Sequence, residues 1–118
     1  MLNDAVGFRH VYIACGYTDL RRGIDGLVAI VRNEFQLDPT DTGNIFLFCG
    51  KRTDRIKALI YEQDGFVLLY KRLVNGSFIW PRNESDAREI TSQQYRWLMD
   101  GLSVDQKKVI KKVNPIVF

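Results

Sequence analysis

The sequence has 118 residues, of which 46% are hydrophobic and 26% charged, proportions typical of a single soluble globular domain. No apolar run approaches the roughly 20 residues that a membrane-spanning helix requires. Residues 1–4 have neither the basic start nor the apolar core of a signal peptide. We therefore expect a cytoplasmic protein that does not contact a membrane.

The basic residues are concentrated in two parts of the chain. Residues 51–82 contain seven Lys/Arg against three Asp/Glu, a net charge of +4, and residues 103–118 carry +3. Residues 1–50 and residues 83–102 each carry −2. This asymmetry indicates a polyanionic partner, although a lysine-rich tail also serves solubility alone.

The first half of the chain predicts two strands and one helix. Residues 10–14 (HVYIA) are β-branched or aromatic and predict a strand. Apolar residues recur at helical spacing within residues 20–35, and either Thr18 or Asp19 is expected to cap that helix. Residues 44–49 (NIFLFC) are almost wholly apolar, as in a central strand that is covered on both faces.

The second half predicts a meander of strands and then a helix. Residues 55–62 and 66–73 flank a turn at Asp64-Gly65, which is a strong hairpin signal. Asn75-Gly76 repeats that signal before the apolar residues 78–80 (FIW). Residues 91–94 (TSQQ) match a capping box, in which Thr91 and Gln94 satisfy each other's backbone donors at the start of a helix.

Together these elements predict an α+β fold. We expect an antiparallel meander of about four to five strands, with one helix in each half of the chain. We expect residues 1–103 to form the single domain and residues 104–118 to form a mobile basic tail.

The most informative segment is 49–57 (CGKRTDRIK), which follows a predicted buried strand. A two-residue hairpin loop would place Lys57 opposite Arg72, and a three-residue loop would place it opposite Lys71. Either register sets like charges against each other, which destabilises a hairpin unless an anion lies over the pair. Phosphate is the obvious anion, and a two-stranded ribbon is known to enter DNA grooves. The alternative is that these side chains extend into solvent.

Two further features leave alternatives open. Arg21 and Arg22 lie near a predicted helix N-terminus, where the helix dipole disfavours them, so they either bind phosphate or pair with Asp19 and Asp25. Phe78 and Trp80 lie beside basic residues. Core packing is the favoured interpretation for both, over stacking on exposed bases.

No catalytic or metal site is expected. A two-metal nuclease needs converging carboxylates, and the candidates are Asp19, Asp25, Glu62 and Asp64. Asp64 and Glu62 are explained by a turn and a strand end. His10, the single histidine, supports neither a catalytic triad nor a zinc site. Two cysteines are present, Cys15 and Cys49, and buried thiols are favoured over a disulfide. We expect no cofactor.

Four stretches together resemble one known family. Residues 17–27 (YTDLRRGIDGL) resemble the N-terminal signature of the accessory proteins, of TnpB type, of the insertion sequence 66 family of bacterial mobile elements. Residues 46–57 (FLFCGKRTDRIK) resemble their central motif, and residues 64–73 and 76–81 continue the match. The resemblance covers residues 3–112. Val74 departs from it, since the familiar motif has Glu there, and residues 113–118 lie outside it.

The resemblance implies a helper in DNA transposition that acts beside a separate transposase, which carries the acidic catalytic residues. We expect the protein to bind element ends through their phosphates, with the transposase and another accessory protein of the element as further partners. The expected DNA-binding residues are Lys51, Arg52, Arg55, Lys57, Lys71, Arg72, Arg21, Arg22, Lys107, Lys108, Lys111 and Lys112. The alternative is an adaptor that docks on the transposase without contacting DNA, since no dedicated base-reading motif is found.

Overall fold

A computed structural model describes residues 2–4, 7–82 and 86–106. The strands are β1 (His10–Ala14), β2 (Asn44–Cys49), β3 (Arg55–Tyr61), β4 (Phe66–Arg72) and β5 (Ala87–Ile90). They form one sheet in the order β4-β3-β2-β1-β5. The helices are α1 (Ile24–Ala29), which continues as wider π-type turns over Ile30–Glu34, and α2 (Ser92–Met99). A short 3-10 helix spans Leu2–Asp4.

The sheet is mixed, so the prediction of a wholly antiparallel meander is wrong. Strands β1 and β2 run parallel, with His10 beside Asn44 and Ile13 beside Leu47. Parallel neighbours require a crossover connection, and the segment that contains α1 supplies it. Strand β5 pairs antiparallel with β1 at the opposite edge from β4. This strand was not predicted, because four residues with the sequence AREI carry little strand signal.

The predicted meander is present for three strands, β2 to β4, all of them antiparallel neighbours. Strand β2 lies at the centre of the sheet, and all six of its residues are buried, as predicted from their apolar run. Residues 78–80 do not form a fourth strand of the meander. Instead, Phe78 and Trp80 are buried in the core, and the Trp80 indole N–H donates to the Ala14 carbonyl oxygen at 2.8 Å.

Both faces of the sheet are covered. Alternate residues of β2 point to opposite sides, so Ile45 and Leu47 pack in one core while Phe46 and Phe48 pack in the other. The first core includes Leu98 of α2, and the second includes Leu27 of α1. The fold therefore has three layers, helix, sheet and helix, which matches the α+β class.

Helix α1 begins at Ile24, with Gly23 as its N-cap residue and no side-chain cap. The prediction that Thr18 or Asp19 caps this helix is wrong. Thr18 is buried, and its N–H donates to the Cys49 carbonyl oxygen at 3.0 Å. The Asp19 carboxylate accepts instead from the Arg21 N–H at 3.0 Å, so residues 18–22 form a turn rather than a first helical turn.

Helix α2 begins with the predicted capping box. The Thr91 hydroxyl accepts from the Gln94 N–H at 3.1 Å, and the Gln94 side-chain oxygen accepts from the Thr91 N–H at 2.8 Å. The helix ends at Met99 with Asp100 as its C-cap residue. Gly101 follows with a φ of +81°, which favours glycine, and the Leu102 N–H donates to the Trp97 carbonyl oxygen at 2.8 Å. Within the described residues, no helix is long and apolar enough to cross a membrane.

Thr91→Ala is expected to lower the free energy of unfolding by about 1 kcal/mol, because the Gln94 N–H loses its acceptor at the helix start. Thr91→Ser retains the hydroxyl and is expected to remain within a few tenths of a kcal/mol of the parent protein. Urea unfolding followed by circular dichroism measures both. Equal destabilisation of the two variants would show that the hydroxyl does not cap α2.

Candidate nucleic-acid interface

Two loops meet at one edge of the sheet because β1 and β2 are parallel. Their carboxyl ends lie side by side, and residues 15–23 and 50–54 follow them. The loops touch directly. A Cβ atom on Gly50 would lie 3.1 Å from the Thr18 carbonyl oxygen, so the approach depends on a residue without a side chain. The carboxyl ends of parallel strands are a common place for ligand sites in mixed and parallel sheets.

These loops border a cleft of about 640 Å³ that opens to solvent. We call it the basic cleft. Its lining residues are Tyr17, Thr18, Asp19, Leu20, Arg21, Gly50, Lys51, Arg52, Arg55 and Tyr70. Four of them are cationic and one is a carboxylate. The structure thus joins the two basic segments that the sequence singled out, the turn at residues 18–23 and the segment after β2.

Arg21 pairs with Asp19, which was one of the two alternatives for this arginine. The Arg21 guanidinium donates to the Asp19 carboxylate at 2.9 and 3.0 Å. These side-chain hydrogen bonds, with one from the Arg21 backbone N–H, lower the pKa of Asp19 to about 2. The Arg21 side chain is nevertheless 92% exposed, so the pairing orients it at the cleft rim without burying it. No ion pair of Arg22 is found within the described part of the chain.

Asp54 organises the other wall. Its carboxylate accepts from Arg55 at 2.9 Å and lies 3.6 Å from Arg52. The hydrogen bond from Arg55 lowers the pKa of Asp54, so this carboxylate is ionised at neutral pH. Arg52 is 71% exposed, and Lys51 is exposed without an ion pair among the described residues. The loop therefore exposes Lys51 and Arg52 to solvent, and the contacts of Asp54 with Arg52 and Arg55 hold the loop in place.

The hairpin is present, but its predicted register is wrong. The loop comprises residues 62–65, so Lys57 lies opposite Tyr70 rather than opposite Arg72 or Lys71. The like-charge pair across the strands is Arg55 with Arg72. Residues that face each other across an antiparallel pair share one face of the sheet, so these two arginines repel each other there. A second, smaller cavity of about 440 Å³ connects Arg52 and Arg55 with Arg72.

Lys57 and Lys71 differ in what surrounds them. The Lys57 ammonium donates to the Arg22 carbonyl oxygen at 2.9 Å and lies 5.7 Å from the centre of the Tyr70 ring. Lys71 alternates with Arg72 along β4, which places it on the opposite face of the sheet, where its ammonium donates to Asn3. The structure therefore places Lys57 beside Tyr70, which lines the basic cleft, and places Lys71 on the other face of the sheet.

Arg82, which the sequence does not single out, is hydrogen-bonded to both loops. Its guanidinium donates to the Gly16 carbonyl oxygen at 3.1 Å, to that of Cys49 at 3.5 Å and to that of Gly50. It also lies 4.0 Å from the centre of the Tyr17 ring. Arg82 stands alone after Pro81, and no local pattern indicates that its partners come from β1 and β2.

The aromatic side chains that line the cleft are two tyrosines, which the sequence did not single out. Tyr17 is 66% exposed and Tyr70 55% exposed, and both line it. Phe78 and Trp80 are 2% and 5% exposed, which confirms the core interpretation for both.

The remaining reactive groups lie apart from one another. Within residues 2–4, 7–82 and 86–106, no cluster of three or more His, Cys, Asp or Glu side chains is arranged to hold a metal ion. Cys15 and Cys49 are buried thiols, as favoured, and burial raises the pKa of Cys49. The predicted tail lysines, Lys107, Lys108, Lys111 and Lys112, lie outside the described residues.

The carboxyl carbon of Asp19 is expected to titrate by NMR with a pKa of about 2, against an ordinary value of 3.8. Since the folded-state pKa is the lower one, the pairing stabilises the turn fully above pH 3.8 and loses this effect as the pH falls through about 2. Arg21→Ala should return the pKa part of the way to 3.8, and Arg22→Ala should change it far less. An unchanged pKa in Arg21→Ala would contradict the pairing.

Comparison with known proteins identifies the family. The model of the family described as IS66 Orf2 like protein matches residues 9–109, which include all five strands and both α-helices. The uncharacterised protein y4hO of Sinorhizobium fredii (strain NBRC 101917 / NGR234) is 37% identical over 92 residues, covering 78% of this chain and 79% of that protein. The uncharacterised protein y4jC of the same strain is 34% identical over 102 residues, covering 86% of each. No solved structure matches the chain. The chain therefore belongs to the IS66 Orf2-like family, the TnpB-type accessory proteins of insertion sequence 66 transposition.

Proposed function

We propose that this protein is a non-catalytic transposition accessory protein that binds element DNA through the phosphates, using the basic cleft. The observation that carries the proposal is the convergence of two sequence-distant basic segments on one open cavity. The proposed contacts are Arg21, Lys51, Arg52 and Arg55, which line the cleft, and Arg72, which lines the smaller cavity beside Arg52 and Arg55. Lys57, beside Tyr70, and Arg22 are proposed as further contacts. Lys71 is left out because it lies on the other face of the sheet.

The charge balance of the cleft supports an anionic ligand. Asp19 and Asp54 neutralise part of the positive charge, but Lys51 lacks an ion pair within the described residues, and Arg55 faces Arg72 across the hairpin. A phosphate between like charges removes their repulsion and accepts charge-assisted hydrogen bonds from both. Arginine is well suited to this role because its planar fork matches two phosphate oxygens.

The geometry also supports backbone contact rather than base reading. The cations extend from loops and from the start of β3, and no residue that lines the cleft belongs to a helix, the element that commonly reads bases in the major groove. Phosphate contacts position a protein on DNA but carry little sequence information. Sequence choice in transposition would then come from the transposase, which is the proposed protein partner along with the other accessory protein of the element.

Lys51→Ala with Arg52→Ala is expected to weaken binding to a duplex of the element end by about tenfold or more, because two charge-assisted contacts are lost. The loss should be equal for a scrambled duplex of the same length. The slope of log K against log salt should fall by about one unit for each lost contact. Fluorescence anisotropy at two or more salt concentrations measures both quantities.

The matched control is Arg32→Ala with Arg96→Ala, which removes the same charge from exposed positions on the two helical layers. If the control weakens binding as much as the cleft variant, only the net charge matters and the cleft is not the site. If the cleft variant binds DNA normally but no longer associates with the transposase, the cleft docks protein and the adaptor function replaces DNA binding.

Truncation after Gln106 should remove a smaller and more salt-sensitive share of the affinity, contributed by the C-terminal lysines.

Purified protein with Mg²⁺ or Mn²⁺ is expected neither to nick nor to join element-end DNA, because metal-dependent strand transfer needs converging carboxylates. Asp19 is paired with Arg21, while Glu62 and Asp64 lie in the hairpin turn at the other end of β3. Denaturing gel electrophoresis of end-labelled DNA makes the measurement. Cleavage that disappears in Asp19→Ala or Asp25→Ala would overturn the non-catalytic assignment.

A further inference from the structure

Two exposed tyrosines line the basic cleft, and both lie outside the two hydrophobic cores. Tyr17 lies in the loop after β1, and Tyr70 lies on β4, so different elements bring them to one cavity. With 66% and 55% of their surfaces exposed, neither contributes much to the two cores. The cluster therefore combines cations with accessible aromatic rings, which is the combination found where proteins bind unpaired nucleotides.

Each ring is held from one side by a cation. The Arg82 guanidinium lies 4.0 Å from the centre of the Tyr17 ring and is itself held by the carbonyl oxygens of Gly16, Cys49 and Gly50. The Lys57 ammonium lies 5.7 Å from the centre of the Tyr70 ring and donates to the Arg22 carbonyl oxygen. Since one face of each ring is engaged, much of the exposed surface belongs to the other face and the edge. The rings are thus oriented before any ligand arrives.

The basic cleft also supplies the space for a stacked base and the cations for its phosphate. The cavity of about 640 Å³ falls within the range of about 300–1,000 Å³ that holds small organic ligands, a size class that includes a nucleotide. Arg21, Lys51 and Arg52 lie at its border, within the same lining, to receive the phosphates of the strand. In a duplex, the faces of the bases are covered by their neighbours, so only an unpaired base can stack on a tyrosine.

We propose that the basic cleft takes single-stranded DNA, with unpaired bases stacked on Tyr17 and Tyr70 and the phosphates held by the surrounding cations. This inference rests on the proposed function and narrows its substrate to DNA with unpaired nucleotides, such as a frayed end or a single-stranded overhang. Stacking depends little on base identity, because every base has an aromatic face. The cleft would therefore select strandedness rather than sequence.

The test compares an oligothymidylate with an abasic oligonucleotide of the same length, which has the same phosphates and no bases. Anisotropy of labelled strands measures both affinities. The parent protein should bind the base-bearing strand about tenfold or more tightly than the abasic one. Tyr17→Ala with Tyr70→Ala should bind both strands equally, while Tyr17→Phe with Tyr70→Phe should restore the preference because phenylalanine also stacks.

Ile79→Ala serves as the control for removal of an exposed apolar side chain, since Ile79 is 52% exposed and does not line the cleft. This variant should retain the preference for bases, and thermal melting should show that all variants are folded. Equal binding of the two strands by the parent protein overturns the stacking inference. The phosphate proposal survives that result if binding is still salt-dependent and weakened in Lys51→Ala with Arg52→Ala. If neither strand binds, the single-strand inference fails, and the phosphate proposal fails with it only if the element-end duplex also shows no salt-dependent binding.

Discussion

The parallel pairing of β1 with β2 determines where positive charge collects in this protein. Only parallel neighbours place both carboxyl ends at one edge, and the loops that follow these ends contain Arg21 on one side and Lys51 and Arg52 on the other. The close contact at Gly50 and the hydrogen bonds of Arg82 then hold the loops together. An antiparallel arrangement of the same strands would send these two basic loops to opposite ends of the sheet.

The electrostatics of the cleft follow from this convergence. Cations that are far apart in the sequence are placed within one cavity. Two carboxylates beside them each orient an arginine. Asp19 holds Arg21 and Asp54 holds Arg55, and the pKa of each carboxyl group is lowered by its partner. Positive charge remains in excess after these pairings, most clearly where Arg55 faces Arg72. Arginine side chains that are held in place while part of their positive charge remains unneutralised are suited to reversible binding of a polyanion.

The aromatic residues fall into two groups, one buried in the core and one exposed at the cleft. Trp80 and Phe78 hold the segment after β4 against the sheet, where the Trp80 indole satisfies the Ala14 carbonyl group. Tyr17 and Tyr70 remain at the surface, each beside a cation that is fixed by backbone carbonyl groups. A rigid sheet covered on both faces thus supports a polar surface whose side chains have defined positions. This is the usual relation between a scaffold and the loops that carry function.

The amino-acid sequence by itself determined the features that depend on near neighbours. Apolar runs located β1 and β2, the Asp64-Gly65 turn signal located the hairpin, and the Thr91 capping box was visible from four residues. The basic segments at residues 18–23 and 51–57 were visible as well, together with the family. Tertiary structure alone decided the direction in which β1 pairs with β2, the existence of β5 and the register of the hairpin. The direction depends on the crossover that contains α1, and the register depends on a hairpin loop of four residues. Strand β5 depends on its pairing with β1, more than 70 residues away in the sequence. The same reason applies to Arg82 and to the two tyrosines: their roles come from partners on other strands, and no local pattern encodes such partners.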